Sequence, residues 1–250
     1  MPTRRPLLAA LIAPAPLLAQ APAPAILAAG ATKHAVEELQ QALRAAGQPV
    51  PEAAFDTVGA LRDRVLAGER PVLVLLSAEA IAAIARRNPI PPGNIAAVGR
   101  TGVGLAAPAG HPAPDISTPD ALRAALLAAE AVAVADPARG ATAGRHFMAV
   151  LDRLGIAEAM RPRLRLVPFG VEGVAMAGRG EVPLAVSQAT EITDRPGVRL
   201  VGLLPDSLQL WTLYQAALLQ DGEDGRALLR RLTSEAGKAA FGRIGFRPAG

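Results

Sequence analysis

Apolar residues recur along this chain at two different periods. Short continuous apolar runs are the mark of strands buried on both faces. They fall at Ala25–Ala29, Pro71–Leu76, Ala131–Ala135, Leu164–Pro168, Val182–Ser187, Leu200–Leu204 and Leu213–Leu219. Between the runs, apolar positions return at helical spacing. Val36, Leu39, Leu43 and Ala46 line one helix, opened by Gly30-Ala31-Thr32 and stopped by Gly47. Phe147, Val150, Leu151 and Leu154 line another over Arg145–Leu154, and Leu228, Leu229, Leu232, Ala236, Ala239 and Ala240 line a single C-terminal helix over Gly225–Phe241. Shorter helices are predicted at Ala60–Ala67, Ser77–Arg87, Ala121–Ala129, Ala157–Met160 and Val174–Ala177. Their ends carry the expected punctuation: Asp56 or Thr57 as an N-cap, Gly68 as a stop, Asn88–Gly93 as a breaker, and Ser117-Thr118-Pro119-Asp120 as a start.

One segment fits neither period. Ala96–Pro108 is apolar but broken by Gly99, Gly102 and Gly104, and it reads as an extended stretch able to cross between domains. The remaining order, strands alternating with helices, predicts an α/β fold of layered, mostly parallel sheets. In such sheets ligands bind beyond the C-terminal ends of the strands. The loops that belong there are made of small residues: Gly30-Ala31-Thr32, Asp136–Gly144 and Phe169–Gly173. The Asp136–Gly144 loop carries the most chemistry. A helix N-terminus there offers unpaired N–H groups and partial positive charge, and Gly140, Ala141, Ala143 and Gly144 let an anion approach the backbone. Thr142 adds a hydroxyl and Arg139 a forked cation that matches a carboxylate.

Composition narrows the function classes. The chain has 250 residues, a formal net charge of +4 and no cysteine, which rules out disulfides, thiolate metal sites and a cysteine nucleophile. Lysine occurs only at Lys33 and Lys238, and no basic block is interleaved with aromatics, so nucleic acid is not an expected partner. At the N-terminus, Arg4 and Arg5 precede an apolar stretch over Leu7–Leu18, and small residues follow at Ala19 and Ala21. That is the layout of a signal peptide over residues 1–21, which predicts export to the periplasm.

Enzyme signatures do not appear. His34, His111 and His146 share no metal-ligand spacing, and there is no Gly-x-Ser-x-Gly elbow, phosphate-loop lysine or His-Glu-x-x-His. The expectation is therefore no catalytic residue, no metal and no cofactor. Strand-end loops rich in backbone N–H and hydroxyl groups suit holding a small anion rather than transforming it.

The pieces Ala28-Ala29-Gly30-Ala31-Thr32, Asp136-Pro137…Ala143-Gly144, Gly170-Val171-Glu172-Gly173…Glu181-Val182-Pro183-Leu184 and Ala240-Phe241…Gly245-Phe246 occur in an order that resembles a known family. The chain is similar to the periplasmic solute-binding proteins of ABC transporters, most closely the molybdate/tungstate-binding branch. The resemblance implies a type II periplasmic binding protein fold: two lobes, each a mostly parallel sheet flanked by helices, with the ligand in the cleft between them. Lobe one would comprise residues 24–100 plus 207–250, and lobe two residues 101–206.

It also implies a ligand set. The family's first-loop serine falls at Gly30, beside Ala31 and Thr32; its second-loop serine falls near Thr57, beside Val58 and the carboxylate of Asp56. Its backbone amides fall at Ala143 and Val171, and its closing tyrosine at Gln188. Together with Arg139 and Thr142 these are the candidate ligand-binding residues. The partners implied are a small anion and an ABC permease in the inner membrane, with the binding protein itself a monomer. Because a serine and a tyrosine are replaced, two ligand classes stay open: an oxyanion such as molybdate or tungstate, and a small organic carboxylate held with Arg139. A periplasmic ligand sensor or partner protein without a transport role is a further alternative.

Overall fold

The computed structural model describes residues 25–193 and 195–249. The signal-peptide expectation for residues 1–21 lies outside them. β1 (Ile26–Ala29), β2 (Ala53–Asp56) and β3 (Leu73–Ser77) run parallel in the order β2-β1-β3. Each feeds a helix: α1 (Lys33–Ala45) after a 3-10 turn at Gly30–Thr32, α2 (Val58–Leu66) and α3 (Ala78–Arg87). β4 (Ile95–Pro108) follows, and α4 (Pro119–Ala128) leads from it into a second parallel set.

That set is β5 (Val132–Ala135), β6 (Leu164–Val167) and β7 (Leu184–Gln188), ordered β6-β5-β7. Its helices are α5 (Thr142–Arg153), the one-turn α6 (Ala157–Met160), α7 (Gly170–Gly178) and the one-turn α8 (Ala189–Ile192). β8 (Val198–Leu203), β9 (Trp211–Leu218), α9 (Glu223–Thr233) and α10 (Glu235–Arg243) complete the chain.

The antiparallel pairings all involve β4 or β9. Ile95–Gly102 of β4 pairs with β9, which itself pairs with β3; Val103–Pro108 of the same strand pairs with β7 and β8. The glycine-broken stretch is thus one long strand shared by both sheets.

Each sheet has its own core. Ile26, Leu73, Leu75, Leu61, Ile84 and Phe241 are fully buried in the first, and Leu105, Leu122, Val132, Phe147, Val150 and Met160 in the second. Burial of each such side chain contributes roughly 1.5–3 kcal/mol. A smaller third cluster of Ala106, Ala133, Ala177 and Ala185 lets α7 lie close on its sheet.

Several boundaries differ from the sequence expectation. α5 starts at Thr142, not Arg145, because its first turn is pressed onto β5: a Cβ on Gly144 would lie 2.0 Å from the Ala135 carbonyl oxygen. Likewise Gly170–Gly173 is the first turn of α7 rather than a loop. Residues too small to show periodicity build both turns. α2 begins at Val58, with Thr57 as its N-cap: the Thr57 hydroxyl accepts from the Ala60 N–H at 3.2 Å. The expected single C-terminal helix is two, broken at Ser234, whose hydroxyl accepts from the Gly237 N–H at 3.1 Å. The apolar pattern runs unbroken across that cap, so periodicity alone missed it.

Candidate ligand-binding cleft

The C-terminal ends of β1, β2, β5 and β7 face one another across a cavity of about 40 Å³. That is room for about three waters, or one oxyanion or carboxylate head. One wall is Ala29-Gly30-Ala31 and Asp56-Thr57-Val58; the other is Ala135, Ala141-Thr142-Ala143, Phe169-Gly170, Ser187-Gln188 and Glu191, with Tyr214 reaching in from β9. The N-termini of α2, α5 and α7 therefore converge on the cavity, each adding partial positive charge and N–H groups without intrahelical partners.

Of the ten sequence candidates, Gly30, Ala31, Thr57, Val58, Thr142, Ala143 and Gln188 line the cavity and three do not. Thr32 is buried and donates its hydroxyl to the Ala29 carbonyl at 2.8 Å, a structural bond. Val171 sits one residue past the lining Gly170. Arg139 stands at the cleft mouth, where its Nη2 lies 3.3 Å from Asp56 Oδ1 and its guanidinium lies 5.3 Å from the Phe169 ring centroid. Asp56 is thereby occupied: the same Oδ1 also accepts the Thr57 N–H at 2.7 Å. The carboxylate next to Thr57 is turned to its own backbone and to Arg139 instead of opposing a bound anion.

The walls touch directly. Thr57 Oγ1 donates to the Arg139 carbonyl at 2.5 Å, and the Gly59 N–H donates to the Gly140 carbonyl at 3.2 Å. A Cβ on Gly59 would lie 2.6 Å from Gly140 Cα, and Gly140 has φ +73°, so this contact is backbone against backbone and both positions need glycine.

Sequence reasoning missed Glu191, Ser187 and Tyr214. Glu191 is 7% exposed. One of its carboxyl oxygens accepts the Ser187 hydroxyl, and the side chain also accepts the Gln188 backbone N–H, the return half of a capping box at α8. Burial pushes its pKa above the ordinary carboxylate value, against the weaker opposing pull of Ser187, Gln188 and the Arg195 charge. Burial, then the nearby Glu191, pushes Tyr214 upward as well, so its phenol keeps its proton. Thr142 is within hydrogen-bonding reach of the Tyr214 phenol. Among the described residues, Gln188 Oε1 at the cavity has no hydrogen-bond partner. A buried polar atom left so costs about 1–3 kcal/mol. A bound group that donates to it would recover that cost.

The family model for bacterial extracellular solute-binding proteins matches residues 25–247. The chain belongs to this family. Aconitate isomerase from Pseudomonas sp. is 30% identical over 250 aligned residues, covering 96% of this chain and 94% of that protein. Among solved structures, the periplasmic molybdate-binding protein of Azotobacter vinelandii superimposes with a TM-score of 0.72 at 14% identity, over 89% of this chain and 97% of that one. L-phospholactate-bound PEB3 superimposes with a TM-score of 0.62 at 13% identity, over 89% and 98% respectively. These superpositions establish the fold: this solute-binding protein has the two-lobe type II arrangement.

Among the described residues of this solute-binding protein, no three His, Asp or Glu side chains are grouped so as to hold a metal ion. No described helix is long and apolar enough to cross a membrane. The signal for Glu191 was present as the N-cap to N3 spacing of Gln188-Ala189-Thr190-Glu191, of which the sequence reading singled out only Gln188.

Proposed function

We propose that this is the extracytoplasmic binding component of an ABC-type uptake system, holding a small organic carboxylate in the interlobe cleft for delivery to a membrane permease. The lobe division is taken at residues 24–100 plus 207–250 and 101–206, and the protein acts as a monomer. The observation that carries the ligand class is the cavity's mixed wall: three helix N-termini that favour an anion, and a buried carboxyl group, Glu191, among them.

A tetrahedral oxyanion needs donors on every side. Here Gly30 brings no hydroxyl where the molybdate-binding branch has a serine, and Gln188 stands where that branch has a tyrosine. Each hydrogen bond lost to a charged ligand costs about 1.5–3 kcal/mol. Two losses weaken binding roughly a hundredfold or more. A carboxylate asks less: two oxygens to be held, and a remainder that can carry a donor to the unpartnered Gln188 Oε1. The 30% identical relative, named for its action on aconitate, a tricarboxylate, supports the same class. With room for about one carboxylate head in the closed cavity, a larger acid enters by parting the walls.

A thermal-shift screen of the purified protein tests this reading against cis- and trans-aconitate, citrate, molybdate, tungstate and sulfate. Ligand bound only by the folded state raises the melting temperature by mass action. A rise with one or more of the carboxylates is expected. A rise confined to molybdate and tungstate returns the cleft to oxyanion uptake and removes the carboxylate assignment.

A further inference from the structure

We propose that Glu191 is a general acid–base and that this cleft catalyses a proton shift on an unsaturated carboxylate, moving its double bond by one position. The inference rests on the carboxylate reading of the cleft and goes beyond it, because capping α8 and holding an anion leave the acidity of Glu191 unused. A carboxyl group at the floor of an anion site opposes the ligand whenever it ionises. The fold nevertheless makes room for it from both lobes. A Cβ on Gly30 would lie 2.5 Å from Glu191 Oε1, and a Cβ on Gly170 would lie 2.5 Å from Oε2 and 2.1 Å from Ser187 Oγ.

The groups facing this carboxyl suit proton transfer. Ser187 and the Gln188 N–H hold it in place, the Arg195 charge acts on it and Tyr214 lies within its field. Burial makes the ionised form a stronger base than a carboxylate in water and keeps the proton available once taken. The cavity admits only a few solvent molecules.

The step balances without a co-reactant. Ionised Glu191 takes a proton from a carbon that lies between a carboxylate and a carbon–carbon double bond. The C–H electron pair spreads over the allyl unit and into the carboxylate oxygens. There the N-termini of α2, α5 and α7 stabilise the added negative charge. The same carboxyl then gives the proton back to the far allyl carbon, and the double bond has moved. One C–H bond is broken, one is formed, and nothing is oxidised or reduced.

The experiment follows trans-aconitate with the purified protein by proton NMR, reading the ratio of the trans to the cis isomer, beside a thermal shift with the same probe. Wild type is expected to drive the ratio to equilibrium, with kcat/KM rising with pH as Glu191 ionises. Glu191→Gln, which keeps the shape and the cap, is expected to bind trans-aconitate but interconvert it at least about 100-fold more slowly. Glu191→Asp, which keeps the acid and shortens its reach, is expected to be slowed while keeping the rise with pH. A thermal shift with no interconversion by wild type overturns the proton-shift inference and leaves the binding reading standing. Interconversion by Glu191→Gln at the wild-type rate overturns the role of Glu191. Neither a shift nor interconversion overturns both readings.

Discussion

The two walls of the cleft do different work. The wall from β1 and β2 is almost all backbone: Ala29, Gly30, Ala31 and Val58 bring no polar side chain, and Asp56 and Thr57 are engaged at the mouth. The wall from β5 and β7 brings side-chain chemistry, with Thr142, Ser187, Gln188 and Glu191 all at the cavity. On the proposed reading, one wall fits the ligand and the other acts on it. The difference follows from local sequence, because small residues after β1 give way to Ser187-Gln188-Ala189-Thr190-Glu191 at the end of β7.

Breaking the contact between the walls has the largest expected effect. Gly59→Ala puts a Cβ 2.6 Å from Gly140 Cα, where backbone opposes backbone and neither yields. The walls are then held apart and the hydrogen bonds across the mouth are lost. Carboxylate affinity is expected to fall about 100-fold or more, measured by titration calorimetry, with the melting temperature of the free protein lowered only modestly. Equal affinity in the variant would show that the walls need not meet.

Crowding each wall in turn sharpens the contrast. Gly170→Ala strikes both Ser187 Oγ and Glu191, whereas Gly30→Ala meets only the end of the Glu191 side chain. Urea unfolding is expected to place Gly170→Ala about 1–3 kcal/mol below wild type, and Gly30→Ala closer to wild type. The reverse order would mean that the backbone wall is the less tolerant one.

A pH series isolates the chemical wall. The pKa of Glu191 is higher in the folded protein than its unfolded value of 4.5. The folded state therefore holds its proton where the unfolded chain releases it, and stability falls as pH rises between the two values. Glu191→Gln lacks that loss. Its stability relative to wild type is expected to be greater at pH 8 than at pH 4, measured by urea unfolding at both. A constant difference would place Glu191 in water, not at the floor of the cavity.

The smallest effect comes from a matched pair of caps. Thr57 and Thr118 both cap helices, their hydroxyls accepting from Ala60 and Ala121 N–H groups at 3.2 and 3.1 Å. Thr57→Ala and Thr118→Ala are each expected to cost about 1 kcal/mol of stability. Only Thr57→Ala should also weaken ligand binding, because only Thr57 bonds across the mouth.

Much of this was legible in the sequence. Runs such as Leu73–Leu76 and Val132–Ala135 are too apolar and too short to be anything but buried strands, and Gly47 and Gly68 end their helices with positive φ as read. Among the cavity-lining residues, Gly30, Ala31, Thr142 and Ala143 were legible because small residues after a strand mark a ligand-facing turn wherever the sheet is open, and Thr57, Val58 and Gln188 through the family resemblance. Glu191 was not found. Its burial is made by Gly30 and Gly170, which lie far from it in the chain and show their purpose only when folded against it. Tyr214 looked like one more residue of an apolar strand. Arg139, read as a ligand contact for its match to a carboxylate, pairs with Asp56, which lies 83 residues away in the chain.

The meeting of Gly59 with Gly140 also bears on how the molecule spends its time. Two hydrogen bonds and one screened ion pair hold the mouth shut. Their net worth is about 1–3 kcal/mol together, since water replaces each on opening. Taken alone, a latch of that size is expected to leave a measurable fraction of molecules ajar before any guest arrives. The guest therefore has only a shallow equilibrium to tip, and a modest preference for the shut form is enough to do it.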